Sequence, residues 1–214
     1  MTKILDKILR VIIIFLEHFS FRPKVYYVDK SLQKNYLTQP SIVVCNHINH
    51  LDGATLCTIF RKNTIHCLAA KDRFENKHLA FLLRHTGCIP IDRKSLDTSW
   101  IHQSVRLLKQ ERHNIAIFPE GRHSKTGEIL PFHAGITAIA AFSQAPIVLV
   151  YIDGPYTFWR KRLKMIIAPP CYLKPATNGL TADYIQTETD SLREQMIQLQ
   201  QNLHTQIAEE NKKN

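Results

Sequence analysis

Residues 41–56 read Ser41-Ile42-Val43-Val44-Cys45-Asn46-His47-Ile48-Asn49-His50-Leu51-Asp52-Gly53-Ala54-Thr55-Leu56. The run Ile42-Val43-Val44-Cys45 is apolar and β-branched, and it reads as a short buried strand. The polar cluster Asn46 to Asp52 follows with no glycine until Gly53, so a strand hands a histidine to a turn. Asn49 is a favourable N-cap, which would place His50 and Leu51 in the first helical turn and Asp52 at its third position, where a carboxylate suits the positive helix end. Five residues apart in one continuous helix, His47 and Asp52 would face different ways. A turn between them is what lets the imidazole fold back onto the acid. A histidine held by a carboxylate has the form of a general base, because the acid selects the tautomer and supports the imidazolium that follows proton abstraction. The same residues would also serve as plain helix caps with His47 a satisfied turn residue, and spacing alone leaves both readings open. No Gly-x-Ser-x-Gly elbow occurs, so the hydroxyl to be activated is expected to be the substrate's own.

At 214 residues the chain is long enough for one α/β domain with a full core and an appended helix, and too short for two large domains. Lys and Arg total 28 against 18 Asp and Glu, a net charge of +10 that points to an anionic partner: nucleic acid, a membrane surface or a phosphorylated substrate. Five cysteines, at positions 45, 57, 67, 88 and 171, include no Cys-x-x-Cys pair, so neither a disulfide framework nor a zinc site is suggested and a reducing compartment fits best. His47, His50 and Asp52 could be read as metal ligands, but no paired helical spacing with a third acidic ligand supports them, and no metal is expected. With only seven glycines and no glycine-rich phosphate loop, dinucleotide and P-loop chemistry lack support.

Residues 3–18 carry an apolar face with Lys3, Lys7 and Arg10 interspersed, and the uninterrupted apolar run Val11 to Leu16 is far below the roughly 20 residues that a spanning helix needs. A helix lying on a membrane surface and an ordinary core-packed helix both fit. Lys24 to Val28 reads as a strand, Thr64 to Ala70 as the next after the central stretch, and Phe74 to His85 as an amphipathic helix with Phe74, Leu79, Leu82 and Leu83 inward. Strand Cys88 to Ile91, helix Asp97 to Gln110 and strand Asn114 to Phe118 follow, with a last strand over Leu163 to Ala168. Strands alternating with helices argue an α/β fold with a mostly parallel central sheet flanked by helices. Ligands of such sheets sit beyond the carboxyl ends of the strands. Three strands are each followed by a polar cluster: Asn46-His47 with Asp52, Asp92-Arg93-Lys94, and Glu120-Gly121-Arg122-His123-Ser124. In a parallel sheet these share one rim, where Arg93 and Arg122 would offer bidentate forks to a phosphate and Gly121 a close backbone approach. Each of these charges is equally a common solvated surface residue. Tyr156 to Arg162 mixes aromatics with positive charge, as in a headgroup contact, a nucleic-acid stacking segment or an exposed loop. From Thr181 onward Leu192, Met196, Leu199, Leu203 and Ile207 form a narrow helical stripe expected to pack on the domain, with Glu209 to Asn214 fraying. The expected organisation is an N-terminal membrane-associating helix over 1–22, a catalytic domain over 23–178 and a C-terminal amphipathic helix over 179–214.

Taken together these blocks resemble the glycerolipid acyltransferases typified by the 1-acylglycerol-3-phosphate acyltransferase family. Asn46-His47 with Asp52 matches its Asn-His-x-x-x-x-Asp signature, Gly87-Cys88-Ile89-Pro90-Ile91-Asp92-Arg93 its second block, Phe118-Pro119-Glu120-Gly121 the start of its third, and Pro146-Ile147-Val148-Leu149-Val150 its fourth. Order and spacing agree from about Ser41 to Ile152. The third block departs from the usual Glu-Gly-Thr-Arg-Ser, with Arg122 in the threonine place and His123 in the arginine place, and Leu149 stands where a second proline is common. The resemblance implies fatty acyl transfer from an acyl thioester, acyl-CoA or acyl carrier protein, to the free hydroxyl of 1-acyl-sn-glycerol-3-phosphate or a related lysophospholipid or amino-lipid. In that scheme His47 takes the hydroxyl proton, Asp52 orients it, and Arg93, Glu120, Gly121 and Arg122 frame the acceptor phosphate, Glu120 by holding an arginine. No covalent intermediate and no cofactor are required. The implied setting is the cytoplasmic face of a membrane, with an anionic lipid surface as partner and no nucleic acid; a non-enzymatic basic protein binding anionic lipid or nucleic acid is the competing class.

Overall fold

A computed structural model describes residues 23–29, 37–92, 97–157, 162–177 and 179–213, together with Ile12. The segment 1–22 expected to meet a membrane, and Arg93 and Lys94 after the second block, otherwise lie outside the described residues.

Seven strands form one sheet: β1 (Lys24–Tyr27), β2 (Ile42–Cys45), β3 (Ile65–Ala70), β4 (Ile89–Ile91), β5 (Asn114–Ile117), β6 (Ile147–Asp153) and β7 (Lys164–Ile167), in the order β1-β7-β6-β2-β5-β3-β4. Every pairing is parallel except that of β6 with β7. The α/β fold is therefore the one expected. Its centre is set by β2, β5 and β6, whose unbroken apolar runs suit strands covered on both faces. Alternation along each strand sorts the side chains. Ile42, Val44, Ile115, Ile117, Ile147 and Leu149 face one apolar cluster, while Val43, Cys45, Ala116, Val148 and Val150 face the other. At about 1.5–3 kcal/mol for each fully buried large aliphatic chain, these faces outweigh any local propensity in fixing the register. Pro90 sits in β4, the edge strand, where its missing N–H leaves no ladder bond broken.

Helices cover both faces. α1 (Asp52–Ile59) follows β2, α2 (Lys77–His85) follows a 3₁₀ turn at Lys71–Phe74, α3 is Ser99–Lys109, α4 is Gly135–Ser143 and α5 is Ala182–Lys213. The single helix expected over 74–85 is interrupted, because Asn76 is extended and its side chain accepts the N–H groups of His78 and Leu79, both at 3.1 Å, capping a new helix. Ala80 is its buried residue, and Phe74, Leu79, Leu82 and Leu83 are only half-buried. α4 was not anticipated. It packs so closely on α3 that a Cβ at Gly135 would come 2.4 Å from the Trp100 ring. α5 buries Leu192, Met196, Leu199 and Leu203 over β6 and β7 as the stripe implied, but it does not fray from Glu209. It runs to Lys213, and Glu210 is tied to Lys24 and Tyr26 of β1. No described helix is long and apolar enough to cross a membrane.

Candidate active site at the carboxyl rim of the sheet

At the end of β2 the buried Asn46 bridges to β6: its Nδ2 donates to the Ile152 carbonyl at 3.0 Å and its Oδ1 accepts the Ile152 N–H at 2.7 Å. A side-chain amide thus continues the ladder where the strands part. His47, the next residue, is held by main chain and side chain together. Its N–H donates to Glu120 Oε1 at 2.9 Å, its carbonyl accepts the Ser124 N–H at 2.8 Å, and its ring lies 4.4 Å from Phe118 in a stacked arrangement.

His47 Nδ1 lies 2.8 Å from Asp52 Oδ2. An ionised carboxylate only accepts, so Nδ1 carries the proton and Nε2 is the basic nitrogen. Asp52 is wholly buried; its Oδ2 also accepts the N–H groups of Ile48 at 2.8 Å and Asn49 at 2.9 Å, and its Oδ1 accepts the Tyr156 hydroxyl at 2.7 Å. Four donors are what a carboxylate needs to remain charged out of water. The helix begins later than expected: Asn49 is not its N-cap. The Asn49 side chain instead accepts the Leu51 N–H at 3.0 Å in a local turn, and Asp52 is the first residue of α1. From there its carboxylate reaches back over the turn and holds the turn amides and the imidazole together, while the helix itself has no side-chain cap.

Glu120, after β5, is buried, and among the described residues no arginine pairs with it. Its carboxylate accepts the amides of His47 and, at 3.1 Å, Leu130, which binds the β2 turn to the long connection before α4. Burial pushes its carboxyl up, and the two amides pull it back only in part. Gly121 takes φ +68°, a left-handed value that suits glycine, and closes the turn with a bond from its N–H to the Phe118 carbonyl at 3.1 Å. Arg122 is exposed on that turn. The residue that turns to the dyad is His123, whose ring centroid lies 4.1 Å from that of His47 and 4.3 Å from that of His50. Burial first, then repulsion from the neighbouring His47, His50 and Arg73, lowers its pKa to about 4. His123 Nε2, Ser124 Oγ and Thr157 Oγ1 are buried without hydrogen-bond partners among the described residues.

The rim therefore joins His47, Asp52, Glu120 and Gly121 and places Arg122 on their margin, while Arg93 lies outside the described residues. Sequence reasoning missed Phe118, His123 and Tyr156 as neighbours of the dyad. Tyr156 opens the aromatic, basic segment expected as a headgroup contact, a nucleic-acid stacking segment or an exposed loop, but its hydroxyl is turned inward onto Asp52, across 104 residues of chain. Its place just beyond the carboxyl end of β6, the strand that carries the fourth block, is the signal available. Among the described residues no group of three His, Cys, Asp or Glu side chains is arranged to hold a metal ion.

The sequence profile of the Acyltransferase family matches residues 24–153. The 1-acyl-sn-glycerol-3-phosphate acyltransferase of Bacillus subtilis (strain 168) is 28% identical over 166 residues, covering 76% of this chain and 82% of that protein. The alpha form of the enzyme of that name from Mus musculus is 26% identical over 175 residues, covering 78% of this chain and 61% of the mouse protein. In fold, the crystal structure of the 1-acyl-sn-glycerophosphate (LPA) acyltransferase PlsC from Thermotoga maritima superposes with a TM-score of 0.61 over 94% of this chain and 82% of that one, at 15% identity. A match from β1 to the end of β6 takes in every strand that builds the rim, and the chain is an enzyme that belongs to the acyltransferase family.

Proposed function

We propose that the protein moves a fatty acyl group from an acyl thioester to the free hydroxyl of 1-acyl-sn-glycerol-3-phosphate, giving phosphatidic acid in phospholipid biosynthesis. The observation that carries this is the 2.8 Å contact between His47 Nδ1 and a buried, fully hydrogen-bonded Asp52, which reserves Nε2 for a proton. The names of the relatives supply the acceptor. The hydroxyl oxygen attacks the thioester carbonyl as Nε2 takes its proton; the tetrahedral intermediate then collapses, the carbon–sulfur bond breaks, and the imidazolium returns the proton to the leaving thiolate. Ester and thiol are the products, and the enzyme ends unchanged. Positioned proton transfer supplies about 10² to 10⁴ of the rate, with proximity and oxyanion stabilisation adding the rest.

In this reading Glu120 and Gly121 shape the turn beneath His47, and Arg122 with Arg93 takes the acceptor phosphate. Residues 23–178 are the catalytic unit, 179–214 the helix packed on it, and 1–22 with the basic surface attaches the enzyme peripherally to the cytoplasmic face of a membrane; acyl-CoA or acyl carrier protein is the donor. One observation favours a second acceptor class of the same chemistry: the third cluster turns a histidine held neutral at ordinary pH toward the dyad rather than a guanidinium, so a less anionic lysolipid or an amino-lipid would also be accommodated. An acceptor screen decides. With lysophosphatidate beside zwitterionic and neutral lysolipids, the proposal expects turnover of lysophosphatidate at the highest kcat/KM and a KM for it raised about tenfold by Arg122→Ala, the scale of one charge-assisted contact. Preference for an uncharged acceptor, with KM indifferent to Arg122, would overturn the phosphate assignment.

A further inference from the structure

Asp52 is gripped from two directions. Oδ2 takes the amides of Ile48 and Asn49 and the imidazole, all from its own turn, whereas among the described residues Oδ1 takes only the hydroxyl of Tyr156. A carboxylate bonded at one oxygen can still rotate about its Cβ–Cγ bond and slide its acceptor lone pair away from Nδ1. A donor on the other oxygen stops that rotation. Tyr156 supplies it from the connection between β6 and β7, on the far side of β2 from the Glu120 anchor on β5.

We propose that Tyr156 is a positioning residue for acyl transfer, acting through Asp52 to set the orientation and the basicity of His47; this rests on the function proposed above. The phenol is itself placed. Thr55 Oγ1, one turn along α1 from Asp52 and buried, lies 3.0 Å from the Tyr156 oxygen. Because Tyr156 gives its single proton to Asp52, Thr55 is the donor in that second bond, and the order runs Thr55 to Tyr156 to Asp52. Burial, reinforced by the Asp52 charge, pushes the Tyr156 phenol up, so it stays a donor throughout the working range.

The arrangement trades strength for direction. A neutral donor on Oδ1 disperses carboxylate charge and weakens its hold on a protonated imidazole, while fixing the geometry that lets Nε2 act. The other titratable and charged groups around His47 are Glu120 beneath its amide, His123 and His50 beside its ring, Arg73 of the 3₁₀ turn and the buried thiol of Cys45. None of them contacts Oδ1.

The test is Tyr156→Phe in the full-length enzyme, assayed with lysophosphatidate and acyl-CoA across pH, with thermal unfolding as the fold control. The expected result is kcat lowered about tenfold, the scale of one hydrogen bond to a charged group, with both KM values within about twofold. In addition the low-pH limb of kcat/KM moves to higher pH, because Asp52 freed of Tyr156 holds the imidazolium more firmly. Thr55→Val, which keeps the phenol, should move the limb the same way by less, and it decides the matter if Tyr156→Phe does not fold. An unmoved limb in both variants overturns the proposal, even if activity falls, since a merely structural tyrosine would change rate without changing titration. A wild-type enzyme inactive on every lysolipid would instead overturn the proposed function.

Discussion

Two histidine pairs lie at opposite ends of the same sheet. At the carboxyl rim His47 gives Nδ1 to Asp52, and no described residue engages its Nε2. At the amino-terminal rim His66 of β3 lies with Nδ1 2.7 Å from the Gly87 carbonyl and Nε2 3.1 Å from His113 Nδ1. A carbonyl only accepts, so His66 Nδ1 is protonated, Nε2 accepts from His113, and both ring nitrogens are spent. Under the proposed function, the contrast separates a reagent from a brace. His47 has an acid behind it and an open nitrogen in front, whereas His66 has both ring nitrogens occupied, by a carbonyl and by a second imidazole.

The largest expected effect tests that contrast directly. His47→Ala should lower kcat/KM by about 10² to 10⁴ while leaving the melting temperature close to wild type. His66→Ala should do the opposite, keeping kcat and costing about 1 kcal/mol of unfolding free energy in denaturant titration, because it orphans a half-buried carbonyl and the neighbouring imidazole. Loss of activity in both, with stability kept in both, would erase the distinction.

Asp52→Asn should rank next. An amide whose oxygen keeps the Oδ2 bonds presents an N–H to the Tyr156 hydroxyl and brings no charge to support the imidazolium, so kcat should fall by roughly 10² or more. Unfolding free energy should fall as well, which circular dichroism melts would read. Glu120→Gln acts one step further away, on the His47 main chain, and a fall in kcat of about tenfold with little change in KM is expected. A change confined to KM would place Glu120 on the substrate instead.

The smallest effect concerns pH. His123 is lowered from 6.5 to about 4 in the fold, so the unfolded chain binds its proton first as pH drops. The folded state is therefore favoured fully above the unfolded pKa, and this contribution is lost as pH falls from 6.5 toward 4. His123→Phe keeps the ring contacts and removes the titration, so its unfolding free energy should fall less steeply over that window than that of wild type. Equal slopes would show that His123 titrates in the fold as it does in the unfolded chain.

Much of the site was legible because it is local. The apolar runs of β2 and β5 name buried strands, the polar residues after them name turns, and a parallel sheet puts those turns on one rim. His47 needed only a turn to meet Asp52. The errors arose where a side chain chose between near and distant partners. Asn49 took a neighbouring amide instead of capping the helix, and Tyr156 turned in toward Asp52 from across the sheet. α4, an apolar nine-residue segment, carries no polar stripe to mark it, because it is packed against α3 and α5. At the other extreme, Glu210 keeps the end of α5 helical through partners on β1, at the other end of the chain.

By itself, then, the order of residues determined the strand, turn and helix around His47 and the chemistry of a base beside an acid, since periodicity and turn propensity act over a few positions. Which donor takes the second oxygen of its acid, what anchors its main chain, and which ring shares its pocket were decided only when β6 and β5 came to flank β2. Those partners lie roughly 70 to 105 positions away along the chain. Hydrogen bonds between such distant groups follow from strand order, and strand order is set by burying both faces of the sheet at once.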